Sequence, residues 1–194
     1  MENNEYKIEQ FNAFYDYSSV GISNCLINLT KKEVMPVILC IGSDLVLGDS
    51  LGPLVGTLLK KRGVNSYVYG SLYNPVTAKE IPKVKNFLKK THPKSIVLSI
   101  DAAVGEKDDV GLIKVFNRGV KPGLGVNKNL GEVGDVSIIG IVAEKTKDNK
   151  SLFNFTRLGL IYKMAEKISN GIIEYLNLLN PCHDKTHHLS KVIS

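Results

Sequence analysis

Cysteine, histidine and long apolar runs are scarce in this sequence, and each scarcity excludes a class of protein. The three cysteines, Cys25, Cys40 and Cys182, are far apart, so we expect free thiols in a reducing compartment and no disulfide framework. No apolar run is long enough to span a bilayer. The first ten residues are polar and acidic, unlike a secretory signal. The sequence therefore predicts a cytoplasmic protein without a membrane partner.

Charge is unbalanced toward the positive, with 25 Lys and Arg against 19 Asp and Glu and a net charge of +6. Such an excess raises the question of a nucleic-acid partner. Much of it, however, lies on or beside two predicted helices, with Phe87 the only aromatic residue among the lysines of the second. No motif of a DNA- or RNA-binding module is visible. We therefore interpret these lysines as solvated helix faces and expect no nucleic-acid partner.

Residues 37–56 (VILCIGSDLVLGDSLGPLVG) organise the rest of the chain. Residues 37–41 are apolar throughout, which is typical of a strand buried on both faces in a parallel sheet. Gly42 then interrupts the strand. From Leu51 the apolar residues recur at helical spacing, and Asp49 or Ser50 is a candidate N-cap in front of them. The pattern predicts a strand, a glycine-rich loop and a helix.

The remaining chain alternates in the same way between apolar strands and helical patterns. Strands are predicted at 65–70, 95–100, 111–116 and 136–142, and helices at 77–90 and 152–179. This alternation predicts one three-layer α/β/α domain with a mostly parallel sheet, spanning residues 35–180. We expect residues 1–34 to form a helical lead-in of one or two helices packed on that domain, and residues 181–194 a polar tail.

Asp49 and Asp101 are the first candidate for chemistry, because both follow buried strands and should lie at the same edge of the sheet. If the two carboxyls are close, like-charge repulsion raises the pKa of one of them. One can then act as an acid while the other, as a base, activates water. That arrangement suits acid-base peptide hydrolysis. The alternative is structural: Asp49 caps the helix and Asp101 binds loop amides.

The glycine-rich loop is a poor match to a phosphate-binding loop. Five residues separate Gly42 from Gly48, where a P-loop has four, and the next residue is Asp49 instead of Lys. Asp44 and Asp49 would also repel a phosphate at this helix N-terminus. We therefore do not predict a nucleotide site here.

A serine or cysteine nucleophile is also disfavoured. Ser43, Ser50 or Cys40 would need a neighbouring base, and His92 is the only histidine within the predicted domain, in a helix-ending His-Pro. Cys40, inside a buried strand, is typical of an inert core residue.

Two further stretches are candidates with competing interpretations. The tail residues Cys182, His183, His187 and His188 include a pair at metal-ligand spacing, but we favour the simpler interpretation, a polar terminus without metal. The loop at 121–135 is glycine-rich and polar, and it is either a substrate-binding loop or a flexible connection. Its candidate binding residues are Gly123, Gly125, Asn127 and Lys128.

Three segments carry a resemblance to a known family: IGSDLVLGDSLGP (41–53), SIDAAVG (99–105) and PGLGVNKNLGEVGDVSIIGIV (122–142). In the same order, they resemble segments of the bacterial spore germination protease and, more closely, of a shorter related sporulation family of the YyaC type. The resemblance implies the phosphorylase/hydrolase-like fold shared with hydrogenase maturation endopeptidases. In the germination protease, an atypical aspartic-type endopeptidase, two aspartates carry the chemistry, and they match Asp49 and Asp101.

By this resemblance we expect a sporulation-associated endopeptidase in the cytoplasm of a sporulating cell or spore, with Asp49 and Asp101 as general acid and base. The substrate would be a protein or peptide, with small acid-soluble spore proteins as one candidate. We expect no cofactor and no metal ligand. The residues assigned to substrate binding are Gly42, Ser43, Asp44, Ser50, Gly123, Gly125, Asn127 and Lys128.

The chain departs from both related families, which leaves alternatives open. In hydrogenase maturation enzymes an acid that helps to bind nickel stands where this chain has Ser50, and their later histidine ligand has no counterpart between His92 and His183. The germination protease is considerably longer. Two alternatives therefore remain open. The protein is a non-catalytic peptide-binding or regulatory relative, or it is a metal-dependent processing peptidase that uses Asp49, Asp101 and Asp44.

Overall fold

A computed structural model describes residues 8–30, 35–122, 131–145 and 156–180. Its strands are β1 (Ile8–Asn12), β2 (Val37–Cys40), β3 (Val68–Tyr69), β4 (Val97–Gly105), β5 (Leu112–Phe116) and β6 (Val136–Glu144). Its helices are α1 (Ser18–Leu29), α2 (Leu51–Lys61), α3 (Ile81–Thr91) and α4 (Leu158–Leu179). None of these helices is long and apolar enough to cross a membrane.

The strands form one six-stranded sheet in the order β1-β5-β6-β4-β2-β3. The pairs β6·β4, β4·β2 and β2·β3 are parallel, whereas β5 runs antiparallel to β6 and β1 antiparallel to β5. Helix α2 connects β2 to β3 and helix α3 connects β3 to β4, whereas β5 lies in the chain between the parallel strands β4 and β6. The predicted α/β class with a mostly parallel sheet is therefore confirmed.

Helices cover both faces of the sheet. On one face α1, α2 and α4 pack over a core that includes Ile38, Cys40 and Ile100. On the other face α3 packs over Val37 and Leu39, the alternate residues of β2. Because successive strand residues point to opposite faces, β2 can be apolar at every position and fully buried.

Strand β3, at Val68–Tyr69, is shorter than the predicted 65–70, and α3 begins at Ile81 instead of residue 77. Two other elements differ more from the sequence prediction. Residues 1–34 were expected to contain only helix, but Ile8–Asn12 form β1, which pairs with the edge of β5. Its residues IEQFN are half-exposed, and the strand depends on pairing with a partner about a hundred residues away. The strand expected at 95–100 instead runs to Gly105, because β6 continues to pair with β4 after β2 has ended.

The end of β2 and the start of α2 are in direct backbone contact. A Cβ at Gly52 would overlap the carbonyl oxygen of Ile41. A Cβ at Gly42, which has φ 140°, would overlap the carbonyl oxygen of Asp49. Only glycine fits both positions. These contacts hold the intervening loop, with Asp49 in it, against the end of β2.

We predict opposite effects for the same substitution in two helices. Alanine is ordinarily better than glycine in a helix by up to about 1 kcal/mol, and Gly159 in α4 has open space around its would-be Cβ. Gly159→Ala should therefore leave stability unchanged or raise it slightly. Gly52→Ala should lower the free energy of unfolding by about 1–3 kcal/mol, since the new methyl meets backbone. Urea unfolding of both variants measures the difference. Equal stability would contradict the proposed contact.

Candidate active site

Asp49 lies in a short loop closed by backbone hydrogen bonds. The N–H of Ser43 donates to the carbonyl of Asp49 at 3.0 Å, and the N–H of Asp49 donates to the carbonyl of Val46 at 2.9 Å. A 3₁₀ turn, Leu47–Ser50, then leads into α2. The loop therefore fixes Asp49 at the carboxyl end of β2, the edge that the sequence predicts.

The side chain of Asp49 does not cap α2. Ser50 occupies the N-cap position, and no side chain makes a capping hydrogen bond there. The hydroxyl of Ser50 is buried and donates instead to the carbonyl of Leu47 at 2.6 Å. Ser50, one of the two candidate N-cap residues, thus occupies that position without a capping hydrogen bond, and the alternative in which Asp49 caps the helix is wrong.

Asp101 is the fifth residue of β4 and lies within the strand, not at its end. Cys40, the last residue of β2, pairs with Ile100, so Asp101 is the first β4 residue beyond the end of β2. On its other side it pairs with Ile139 of β6. Its side chain is 9% exposed, and one carboxyl oxygen accepts the N–H of Ala102 at 2.9 Å. Asp101 therefore has a strand partner in β6 but none in β2, and it lies beside the Asp49 loop, which follows the end of β2.

The two carboxyls are electrostatically coupled. Burial and, to a smaller extent, the negative charge of Asp49 together raise the pKa of Asp101 to about 8, and the hydrogen bond from Ala102 opposes both. Burial raises the pKa of Asp49 to about 6, against the backbone N–H of Ser43. The protons of such a pair are shared between its members. At neutral pH the pair therefore favours one protonated carboxyl, Asp101, beside one carboxylate, Asp49.

The other predicted binding residues occupy different surroundings. Gly42 and Ser43 lie beside Asp49 in the loop, and the hydroxyl of Ser43 accepts the N–H of Leu45 at 3.2 Å. Asp44 is exposed at the loop surface. Ser50 points into its own turn. Eight candidates lie outside the described residues: Gly123, Gly125, Asn127, Lys128, Cys182, His183, His187 and His188.

His92 is engaged away from any candidate nucleophile. Its Nε2 is 2.7 Å from the hydroxyl of Tyr69, and its ring stacks obliquely on Tyr67 at 4.6 Å between centroids. Cys40 is fully buried, and burial raises the pKa of its thiol to about 12. A neutral buried thiol is a poor nucleophile.

Within the described ranges, no group of three or more His, Cys, Asp and Glu side chains is placed to hold a metal ion. Asp44, which the metal-peptidase alternative requires as a third ligand, is on the loop surface. Asp49 and Asp101 thus provide two carboxyls and no third donor from that part of the chain.

Sequence reasoning missed a groove of about 390 Å³ at the opposite edge of the sheet. It lies between the last turns of α3 and the residues that precede β4 and β6. Lys85, Lys89 and His92 lie along one wall, and Glu132 and Asp135 along the other. Lys85, Lys89 and His92 are four and three residues apart in the sequence, a spacing that places side chains on one side of a helix. This spacing could have predicted that one wall of the groove is basic. The groove does not include Asp49 or Asp101.

A family model described as "Protein of unknown function (DUF1256)" matches residues 9–171. The chain belongs to this family. It is 39% identical over 147 residues to "Uncharacterized protein YyaC" of Bacillus subtilis (strain 168), a match that covers 75% of this chain and 72% of that protein. The YyaC-type resemblance expected from the three segments is thus supported at the level of the family.

A solved structure is similar in fold. The [NiFe] hydrogenase maturation protease HycI from Thermococcus kodakarensis KOD1 aligns with a TM-score of 0.52 and 20% sequence identity. The alignment covers 79% of this chain and 99% of that chain. At this identity the similarity establishes the fold alone. It confirms the predicted hydrogenase maturation protease-like fold.

We predict that Asp101 makes stability fall as pH rises. The folded pKa of about 8 lies above the ordinary 3.8, so between these values the folded protein holds a proton that the unfolded chain has lost. This stabilising contribution is complete below pH 3.8 and is lost as pH rises through the folded pKa, at about 1.4 kcal/mol per pH unit. Asp101→Asn removes the contribution, so the stability of the variant relative to wild type should rise from about pH 4 to about pH 8 and then level off.

Urea unfolding of wild type and Asp101→Asn between pH 4 and pH 9 measures this difference. Asp44→Asn, which changes an exposed carboxyl of the neighbouring loop, is the matched control and should track wild type. A constant difference between wild type and Asp101→Asn across the range would contradict the raised pKa of Asp101.

Proposed function

We propose that this protein is an endopeptidase that hydrolyses a peptide bond of a protein substrate with Asp49 and Asp101. The observation that carries the proposal is the coupled carboxyl pair, with opposite protonation at neutral pH, at the carboxyl edge of the parallel strands. Ligands of open α/β sheets bind at this edge. The similarity in fold to a structure named as a maturation protease supports the same activity.

The roles of the two aspartates follow from their protonation and exposure. Asp49 is partly exposed and ionised, so it is the base that takes a proton from a water molecule. Asp101 is protonated and gives its proton to the oxygen of the scissile carbonyl as the water oxygen bonds to the carbonyl carbon. A neutral tetrahedral diol results.

The second half of the reaction returns both protons. Asp49 gives its proton to the amide nitrogen as the carbon–nitrogen bond breaks, and Asp101 takes a proton back from a hydroxyl of the diol. The products are a carboxylic acid and an amine, and the pair regains its starting protonation. Burial, together with the charge of Asp49, therefore provides an acid and a base without a third group.

We propose further that the substrate is a protein of sporulation, with small acid-soluble spore proteins as the first candidates, and that the protein acts in the cytoplasm of the sporulating cell or spore. The support is the resemblance of the three motif segments to the germination protease. The identity of 39% to YyaC of Bacillus subtilis supports the assignment to the YyaC-type family, on which this proposal depends.

Peptide binding without cleavage is a second candidate function. The low exposure of Asp101, 9%, favours it, because an acid that the substrate carbonyl does not reach cannot protonate it. The two functions differ in outcome: a binding module would bind a peptide through this edge and release it intact.

We predict that Asp49→Asn and Asp101→Asn each lower kcat at least about 100-fold, since each removes a proton-transfer group. The assay uses purified small acid-soluble spore proteins and, in parallel, a proteome-derived peptide library, with cleavage products identified by mass spectrometry. Asp108→Asn, which changes an exposed carboxyl after β4 that is not assigned to the site, is the control and should retain activity. Full activity in both site variants, or no cleavage by wild type, would refute the aspartate mechanism. Binding of intact peptides by an inactive wild type would support the second function.

The pH profile of kcat/KM provides a separate prediction. Below about pH 6 Asp49 becomes protonated and cannot accept a proton, and above about pH 8 Asp101 loses the proton that it must donate. Activity should therefore follow a bell with its maximum between these values, and the two apparent pKa values belong to the pair. Initial rates from pH 4 to pH 10 test this. A maximum below pH 5 would mean that the roles or the pKa values are wrong.

A further inference from the structure

Two large apolar side chains stand out from the surface beside the carboxyl pair. Leu45 is 88% exposed and Tyr73 is 83% exposed. These are the highest exposures of large hydrophobic side chains among the described residues. Single exposed apolar residues are common on protein surfaces. Leu45 and Tyr73 differ from such residues in two ways: they lie at the edge that carries the carboxyl pair, and hydrogen bonds fix the backbone of each.

Leu45 belongs to the same closed loop as Asp49. Its N–H donates to the hydroxyl of Ser43 at 3.2 Å, and Ser43 in turn donates its N–H to the carbonyl of Asp49 at 3.0 Å. The backbone that carries Leu45 is therefore held by the residues that hold the proposed base.

Tyr73 lies in a turn that is closed twice. The N–H of Ser71 donates to the carbonyl of Asn74 at 3.0 Å, and the N–H of Asn74 donates to the carbonyl of Ser71 at 3.2 Å. The intervening Leu72 donates its N–H to the hydroxyl of Thr57, on α2, at 2.9 Å. A turn anchored to a helix in this way presents Tyr73 with little freedom of its backbone.

The turn and the Asp49 loop leave neighbouring strands at the same edge of the sheet. The N–H of Gly42 donates to the carbonyl of Val76 at 2.9 Å, which joins the two segments. Because the strand order is β4-β2-β3, Asp101, the Asp49 loop and the Tyr73 turn follow one another across the edge. Strands are about 4.8 Å apart, so β4 and β3 are separated by about 10 Å. An extended chain covers that span in about three residues.

We propose that Leu45 and Tyr73 form an apolar rim that binds one apolar side chain of an extended polypeptide substrate, about three residues to one side of the cleaved bond. The proposal rests on the proposed function and adds a preference to it. Covering rigid apolar side chains gains free energy with little loss of backbone entropy, and tyrosine is frequent at such binding positions.

An extended polypeptide fits the rim better than a second copy of this chain does. Two side chains of this size bury about 400 Å² at most, whereas a stable interface between folded partners buries about 1,200 Å² or more in total. A single substrate side chain needs no larger surface. Continuity with the carboxyl pair also places this occupant where the chemistry requires it.

Cleavage-site profiling of a proteome-derived peptide library tests the rim. Wild type, Leu45→Ser, Tyr73→Ser and the double variant are compared, with Tyr17→Ser as the control. Tyr17 is similarly exposed, at 66%, but follows β1, at the opposite edge of the strand order. Wild type should prefer an apolar residue at one position about three residues from the bond. Tyr73→Ser and the double variant should lose this preference.

Kinetics on one preferred peptide provide the second readout. The rim variants should raise KM at least fivefold and change kcat less than twofold, because they do not transfer protons, whereas Tyr17→Ser should change neither. Thermal unfolding confirms that each variant is folded, as expected for surface substitutions.

Three outcomes would overturn the proposal, and they are distinguishable. Cleavage with an unchanged preference and unchanged KM in every rim variant would refute the rim and leave the proposed function standing. A lower sedimentation mass for Tyr73→Ser than for wild type would assign the rim to a second copy of the chain. No cleavage by wild type would refute the proposed function, and the rim as a substrate site with it.

Discussion

Backbone contact between the end of β2 and the start of α2 is the constraint on which the candidate site depends. Gly52 lies against the carbonyl of Ile41, and Gly42 lies against the carbonyl of Asp49, each without room for a Cβ. Since the loop between them is also closed by its own hydrogen bonds, it has little freedom to move relative to the sheet. The position of Asp49 next to β4 is therefore set by packing of the main chain, which side-chain rotation does not disturb.

This rigid loop holds Asp49 next to Asp101, a second carboxyl that is buried in β4. Ionising Asp101 in its buried position is unfavourable, and the charge of Asp49 makes it more so. A purely structural role would be filled equally well by an amide side chain at position 101, which accepts the same N–H from Ala102 and does not ionise at any pH. Strained or unfavourable electrostatics of this kind is concentrated at functional sites. The unfavourable burial is thus an argument for chemistry at this edge.

Local sequence patterns were sufficient to predict most of the strands and helices, but not which strands pair with one another. The strand, glycine and helix around Gly42 are encoded by neighbouring residues, so β2 and α2 were predictable. The extension of β4 past Asp101 and the existence of β1 both depend on distant partner strands, which no local pattern specifies. Likewise, the sequence placed two carboxyls at one edge, but which one keeps its proton follows from burial. The exposure of Leu45 and Tyr73 is also a property of the folded chain alone.

Ser50 is the residue at which this site differs from the nickel-binding site of hydrogenase maturation enzymes, whose fold it shares. The resemblance implies an acid at this position in hydrogenase maturation enzymes, whereas here a buried hydroxyl donates to the carbonyl of Leu47. A carboxylate in that position would lose this bond and add a negative charge next to Asp49, raising the pKa of Asp49 further. An acid–base pair works only while one member stays ionised near neutral pH. The serine therefore suits a site with two carboxyls.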